Sequence, residues 1–384
     1  MKFKLRKYHI YNFFKFLFNV KGNRIIFISY YGKQYSDNPK WLYEYCLSKD
    51  LDLEYIWVLN DIEYSKIKKH PNLKVIKSSS IKWLYYMATS KYWVNNCNMA
   101  SEIIPPKDTI YLQTWHGTPL KKIGLDITVD TSKQMQRYLK DIRSEVKNWS
   151  YIISSSLKVS RILKSAFGVT DSQIIECNYP RNDILLGNNL TDKRNEILKK
   201  LHLDNNEKKI ILYAPTFRTT EDEFNIEMDK ILLKNELEND YIFLFRKHSN
   251  IKKINPSLVN DSFYINVSDY DDIQELYVIS DILITDYSSV FFDFALLERL
   301  MIFYPYDFER YQDELRGFYF NYDETVPGPI TRTTEGILNI IRNSEKNIMK
   351  YKLKIKKFNS TFNSSLEGEG SKKIMELLGL NEKS

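Results

Sequence analysis

Two of the five histidines in this 384-residue chain stand apart from the rest. His116 lies in TWHGTPL (Thr114–Leu120) and His248 closes RKH (Arg246–His248). Each directly follows a run of β-branched and aromatic residues that reads as a buried strand. Histidine is the side chain best suited to moving a proton near neutral pH. A single histidine at such a place is by default a satisfied core residue, but two at matching strand ends, one in each half of the chain, weigh against that default. His9, in a basic segment, His70, before Pro71, and His202, in a charged helical stretch, carry no such pattern.

Two further polar clusters follow strand-like runs: PTFR (Pro215–Arg218) and DYSSV (Asp286–Val290). Arg181, Arg218, Arg246 and Lys247 could supply cations to a diphosphate. Ser288 or Ser289 would cap a helix over Val290–Glu298, where free backbone N–H groups and two hydroxyls suit a phosphate; an ordinary serine cap explains the same residues. No GxGxxG follows a strand and no Walker loop occurs, so neither a nicotinamide nor a P-loop site is indicated. The DxD in Asp269–Asp272 could hold a metal, but it directly precedes a helical stretch, and the helix-start reading is favoured. No His/Cys cluster has metal-ligand spacing, so no metal and no cofactor is expected. Cys46, Cys97 and Cys177 lie far apart and read as small buried apolar residues.

The elements that must position these residues alternate twice. In the first half, strands are expected at Arg24–Tyr31, Glu54–Leu59, Leu73–Lys77, Lys91–Asn95, Thr109–Gln113 and Tyr151–Ser155, with helices at Asn38–Ser48 (Asn38 as cap) and Ile81–Ala88. After a helical stretch near Thr191–Leu201, strands follow at Lys209–Ala214, Tyr241–Phe245, Phe263–Val267, Asp281–Thr285 and Leu300–Tyr304, with helices at Ile273–Ile279, Val290–Glu298 and Thr334–Arg342. Continuous apolar strands separated by helices imply parallel sheets covered on both faces. Ligands of such sheets bind at the carboxyl ends of strands, which is where all four polar clusters fall. The fold class is α/β, with two Rossmann-like domains facing a cleft.

The net charge of +7 resides at one end. Lys2, Lys4, Arg6, Lys7, Lys15, Lys21 and Arg24 precede the first acidic residue, Asp37; without those seven, 49 basic residues face 49 acidic ones. A neutral body disfavours nucleic acid as a partner. Ile10, Phe13, Phe14, Leu17 and Phe18 fall on one side of a helix between the basic residues, which suits the surface of an anionic leaflet. A helix docked on the protein's own core is the alternative. The segment is too short and polar to span a bilayer and lacks a signal-peptide cleavage site. The expected organisation is a membrane-association segment over 1–23, an N-terminal Rossmann-like domain over 24–190, a C-terminal Rossmann-like domain over 191–346, and C-terminal helices over 347–384 packing back.

QTWHGTPLKKIG (Gln113–Gly124), YPRND (Tyr179–Asp183), YAPTFR (Tyr213–Arg218), FRKH (Phe245–His248), ITDYSSVFFDFALLERLMIFYPYD (Ile284–Asp307) and RGFYFNYDETVPGP (Arg316–Pro329), in this order, resemble the CDP-glycerol glycerophosphotransferases of teichoic acid synthesis. The resemblance implies a GT-B fold, transfer of a polyol phosphate from CDP-glycerol or CDP-ribitol to a lipid-linked glycan or polymer, and peripheral attachment to the cytoplasmic face of the cell membrane. A nucleotide-sugar glycosyltransferase and a catalytically silent scaffold are the competing readings. By position, the resemblance makes His116 the base for the acceptor hydroxyl and His248 a partner of the diphosphate. It adds Trp115, Gly117, Thr118, Pro119, Arg181, Pro215, Thr216, Arg246, Lys247, Ser288, Ser289 and Asp293 to the donor site, beside Arg218. Two departures occur: Cys177–Asn178 stand where the family tends to have Gly, and LEGEGS (Leu366–Ser371) only approximates the family's DGxAS.

Overall fold

The computed structural model describes residues 2–60, 66–128, 132–204, 207–216, 223–247, 253–255, 258, 261–308, 317–365 and 368–380. His248 and Arg218 lie outside the described residues. The chain divides into two compact units: unit 1 comprises Met1–His116, Ile123–Asp183 and Ser365–Ser384, and unit 2 comprises Gly117–Lys122 and Ile184–Ser364.

Seven parallel strands form the sheet of unit 1: β1 (Lys21–Ile28), β2 (Glu54–Val58), β3 (Leu73–Ile76), β4 (Ser90–Asn95), β5 (Ile110–Gln113), β6 (Tyr151–Ser154) and β7 (Ile174–Glu176), in the order β3-β2-β1-β4-β5-β6-β7. Ile26 is in register with Ile56 on one side and Trp93 on the other. Ile25, Ile26 and Phe27 are fully buried, as a central strand covered on both faces requires. Its helices include α1 (Lys2–Leu17), α2 (Asp37–Ser48), α3 (Ile81–Thr89), α4 (Lys133–Glu145) and α5 (Leu157–Phe167). The serine hydroxyls of Ser80 and Ser156 cap α3 and α5, each worth about 1 kcal/mol. The three cysteines are free and buried, and burial pushes their thiols up to about 12, which leaves them inert.

Unit 2 carries five parallel strands: β8 (Lys209–Tyr213), β9 (Tyr241–Phe245), β10 (Tyr264–Asn266), β11 (Ile282–Thr285) and β12 (Leu300–Phe303), ordered β10-β9-β8-β11-β12. Its helices include α6 (Leu190–Lys200), α7 (Lys230–Leu237), α8 (Ile273–Ile279), α9 (Val290–Phe294), α10 (Thr334–Arg342) and α11 (Ser344–Phe362). The C-terminal tail divides. In α11, Asn359 donates to the Ala295 carbonyl, and Phe358 and Phe362 pack on Phe292, all within unit 2. In α12 (Gly370–Leu377), Ile374 and Met375 join Leu378 in the core of unit 1, beside Cys46 and Tyr92.

The N-terminal segment is helical, but its faces differ from the expected ones. Tyr11 is fully buried and donates to the Ile104 carbonyl, while Phe14 and Phe18 meet the ring of Tyr85 edge-on. Phe13, Phe16 and Leu17 stay exposed, Phe16 at 90%. Aromatic residues surround this helix, so packing on α3, not the apolar period, selects the inward face. Among the described residues no helix is long and apolar enough to cross a membrane.

Candidate functional site

In each sheet the strand order reverses at one point, between β1 and β4 in unit 1 and between β8 and β11 in unit 2. The carboxyl edge at such a point is the usual ligand crevice of an open parallel sheet.

In unit 1 that edge is built around His116. The ring Nδ1 lies 2.6 Å from the carbonyl oxygen of Asn96, in the loop leaving β4. A carbonyl can only accept, so Nδ1 carries the proton and Nε2 keeps its lone pair. Trp115, buried against Phe167, stacks on the imidazole at 4.5 Å between ring centroids. Although the outer part of His116 reaches solvent, its ring is densely surrounded. That packing disfavours the charged form and lowers its pKa, opposed by the Asn96 carbonyl and the Asp37 carboxylate and reinforced by Arg181.

Asn96 is itself fully buried and fully used. Its amide nitrogen donates to Asp37 Oδ2 at 2.8 Å, and its side-chain oxygen accepts from the Tyr30 backbone N–H at 2.9 Å. Asp37 is the hub. It accepts from Asn96, from the Tyr30 hydroxyl at 3.1 Å and from the Asn38 backbone N–H at 2.8 Å, and pairs with the Arg181 guanidinium at 3.2 Å. Arg181, 2% exposed, also lies over the Tyr179 ring and is committed to this pair. Asn38 does not cap α2; its amide donates to the Thr114 and Trp115 carbonyls, because the chain enters α2 one residue earlier, at Asp37. Tyr30, Tyr31, Asp37 and Trp115 all have φ between +45° and +61°, a left-handed backbone that costs non-glycine residues of order 1–3 kcal/mol each. Four such residues beside one histidine mark a site held in place by its surroundings.

A second buried group fixes the same loop from below. Glu145 accepts from the Met99 N–H at 2.8 Å, the Tyr111 hydroxyl at 3.0 Å and the Trp149 indole at 3.3 Å. Burial pushes its carboxyl up to about 7. At the YPRND segment, Asp183 accepts from the Gly370 and Ser371 N–H groups, both at 2.9 Å, and from Asn178. A Cβ on Gly370 would stand 2.1 Å from the Asn178 carbonyl oxygen. The chain at Gly370 thus lies directly against the chain at Asn178, and only glycine fits there.

In unit 2 the edge is made mainly of backbone and hydroxyls. The chain leaving β8 presents Pro215 and Thr216, half-buried; the Thr216 N–H donates to Asp286 Oδ1 at 2.8 Å, and the Thr285 hydroxyl to the Ala214 carbonyl. After β9, Arg246 donates to the Tyr270 and Asp271 carbonyls, and the Lys247 N–H to Ser268. After β11, Ser288 and Ser289 are half-buried. The expected serine cap is absent: Ser289 already has helical φ and ψ, so its hydroxyl makes no capping bond, and the helix is short, α9 giving way to a 3-10 turn at Ala295–Leu297. Gly117 approaches so closely that a Cβ there would meet Ser289 Oγ at 2.9 Å. Next to it, the buried hydroxyl of Thr118 has no hydrogen-bond partner among the described residues. Pro119 is buried. Asp293 is buried and accepts from Gln274 of α8. Within the DxD, Asp272 caps α8 by accepting the Gln274 N–H.

The CDP-glycerol:poly(glycerophosphate) glycerophosphotransferase profile matches residues 10–379. The chain belongs to this family. A teichoic acid poly(glycerol phosphate) polymerase of Bacillus spizizenii is 40% identical over 92% of each chain. A teichoic acid glycerol-phosphate transferase of Staphylococcus aureus is 38% identical over 98% of each. A solved variant of the wall teichoic acid polymerase TagF, soaked with CDPG, is 35% identical and superposes with a TM-score of 0.90 over 97% of this glycerophosphotransferase and 92% of that chain. The α/β fold with parallel sheets is therefore that of TagF.

Sequence reasoning singled out His116 and the unit 2 clusters but not Asp37, Asn96 or Glu145. Asn96 directly follows β4, at the same carboxyl edge as the clusters singled out, but its bond to Asp37 joins distant segments and leaves no local signal.

Proposed function

We propose that this glycerophosphotransferase moves sn-glycerol 3-phosphate from CDP-glycerol to a hydroxyl of a membrane-linked glycan or polymer, releasing CMP, in teichoic acid synthesis. The observation that carries the reading is the Nδ1 contact from His116 to the Asn96 carbonyl, which leaves Nε2 as the proton acceptor. The acceptor oxygen attacks the phosphorus bearing glycerol, the bond to the bridging oxygen breaks, CMP departs, and the acceptor proton passes to Nε2. Such a transfer demands positioning and charge stabilisation more than covalent catalysis. Gly117, Thr118, Pro119, Pro215, Thr216, Arg246, Lys247, Ser288 and Ser289 are assigned to the donor, with the orphaned Thr118 hydroxyl in support. His248 and Arg218 are assigned to its diphosphate. Trp115, Arg181 and Asp293 act by holding neighbours in place.

The acceptor is proposed to be met at the cytoplasmic membrane face, with Phe13, Phe16 and Leu17 of α1 turned to the leaflet. Incubation with CDP-glycerol, CDP-ribitol or UDP-sugars and a lipid-linked disaccharide tests the reading. CMP formed from CDP-glycerol, and lost in His116→Ala, is expected. CMP from CDP-ribitol alone would change the donor, and UDP release would move the activity to glycosyl transfer.

A further inference from the structure

We propose that the cavity formed by α1, α3 and β3 binds one acyl chain of an anionic bilayer phospholipid; this rests on the reading of α1 as a membrane-facing helix. The cavity measures about 490 Å³ and is lined by Phe14 of α1 and Phe18 just beyond it, Ile81, Tyr85 and Tyr86 of α3, and Ile76 of β3. Its volume is in the range of small-molecule sites, roughly 300–1,000 Å³. Walls of this kind gain by covering hydrocarbon, whereas a sugar or nucleotide would leave hydroxyls and ring nitrogens without partners against them.

The charges select the headgroup. Lys74 and Lys82 also line the cavity, and no acidic residue does. The nearby Glu54 is answered by both Arg24 and Lys74, so with Lys82 three cations face one carboxylate. Arg24 lies over the rings of Tyr85 and Tyr86, which brings that excess to the cavity wall. An anionic phosphodiester at the mouth suits this balance. The source of the chain is at hand: Ile81 is 65% exposed on the cavity, and Phe13, Phe16 and Leu17 are exposed on α1. A leaflet touching these residues delivers a lipid tail without exposing it to water.

Two measurements on the full chain test the site separately from membrane adsorption. Dodecyl phosphate below its micelle concentration, titrated calorimetrically, reports the cavity. Sedimentation with phosphatidylcholine vesicles, with and without phosphatidylglycerol, reports adsorption. Saturable one-to-one binding of dodecyl phosphate is expected, with none of inorganic phosphate. Ile81→Glu should weaken it roughly tenfold or more, about 1.4 kcal/mol. A carboxylate in the first turn of α3 is compatible with folding, which the melting temperature checks. Phe16→Ser should reduce sedimentation and leave dodecyl phosphate binding intact. Sedimentation without dodecyl phosphate binding, or binding indifferent to Ile81→Glu, would overturn the cavity site and leave the membrane reading standing. Dodecyl phosphate binding without sedimentation on anionic vesicles would remove the membrane reading, and the bilayer as the source with it.

Discussion

The two switch points share a topology and differ in how they are held. In unit 1, one exposed imidazole is fixed by a buried ion pair, an amide with every polar atom engaged, and four left-handed residues. In unit 2, the corresponding edge offers half-buried hydroxyls and backbone around a glycine, with the Thr118 hydroxyl lacking a partner among the described residues. A proton acceptor works only in one orientation and tautomer, so its surroundings are over-determined. On the assignment proposed above, a diphosphate held by many weak contacts lets the unit 2 edge remain incomplete until the donor arrives.

If that division is right, His116→Ala should have the largest effect, lowering CMP release by about 10²–10⁴-fold. Its melting temperature should stay near wild type, because the residue reaches solvent and makes a single hydrogen bond among the described residues. A residual rate within a few-fold of wild type would place the base elsewhere.

Asp37→Asn comes next and should move two readouts. Leaving Arg181 buried without its carboxylate should cost about 3 kcal/mol of stability, read from denaturant unfolding. The Asp37 charge also holds the His116 pKa up, so its removal lowers that pKa further. Since the neutral form is the base, the wild-type rate should fall only below the ordinary histidine range, and the variant's acid limb should lie at still lower pH. A stability loss with an unmoved pH profile would reduce Asp37 to a structural role.

On the unit 2 side, Ser289→Ala and Thr118→Val should raise KM for the donor several-fold, about 1 kcal/mol each, with kcat little changed. A kcat loss as large as that of His116→Ala would erase the contrast between the two edges.

The smallest effect concerns Glu145→Gln. Because burial raises its carboxyl from the ordinary value to about 7, the folded state binds its proton more tightly than the unfolded chain. Stability should therefore fall as pH rises through the interval between those values. The glutamine variant keeps an accepting oxygen and should flatten that slope in melting curves recorded across it. An unchanged slope would mean that another group titrates there.

The strands were legible because parallel sheets demand continuous apolar runs; Tyr241–Phe245 matches to the residue, and the others differ mostly at their ends. The strongly charged α4 and the short β7 carried no such run and were not anticipated. His116 was legible because histidine after a strand is rare and chemically loaded. Asp37 and Asn96 were not, because their value lies in bonds between segments 59 residues apart, which no local pattern encodes. The exposed face of α1 was obscured for the opposite reason: aromatic residues all round a helix give no unique inner side.

The order of the chain has a consequence for how the enzyme is made. Unit 2 lies within the sequence of unit 1, whose core takes in Ile374, Met375 and Leu378. A ribosome emits the segment 184–364 before those three side chains, so the second sheet can close while the first is still open at one flank. Unit 1 is then the last to mature, and a chain stalled before α12 would hold a closed second sheet and an unfinished first core.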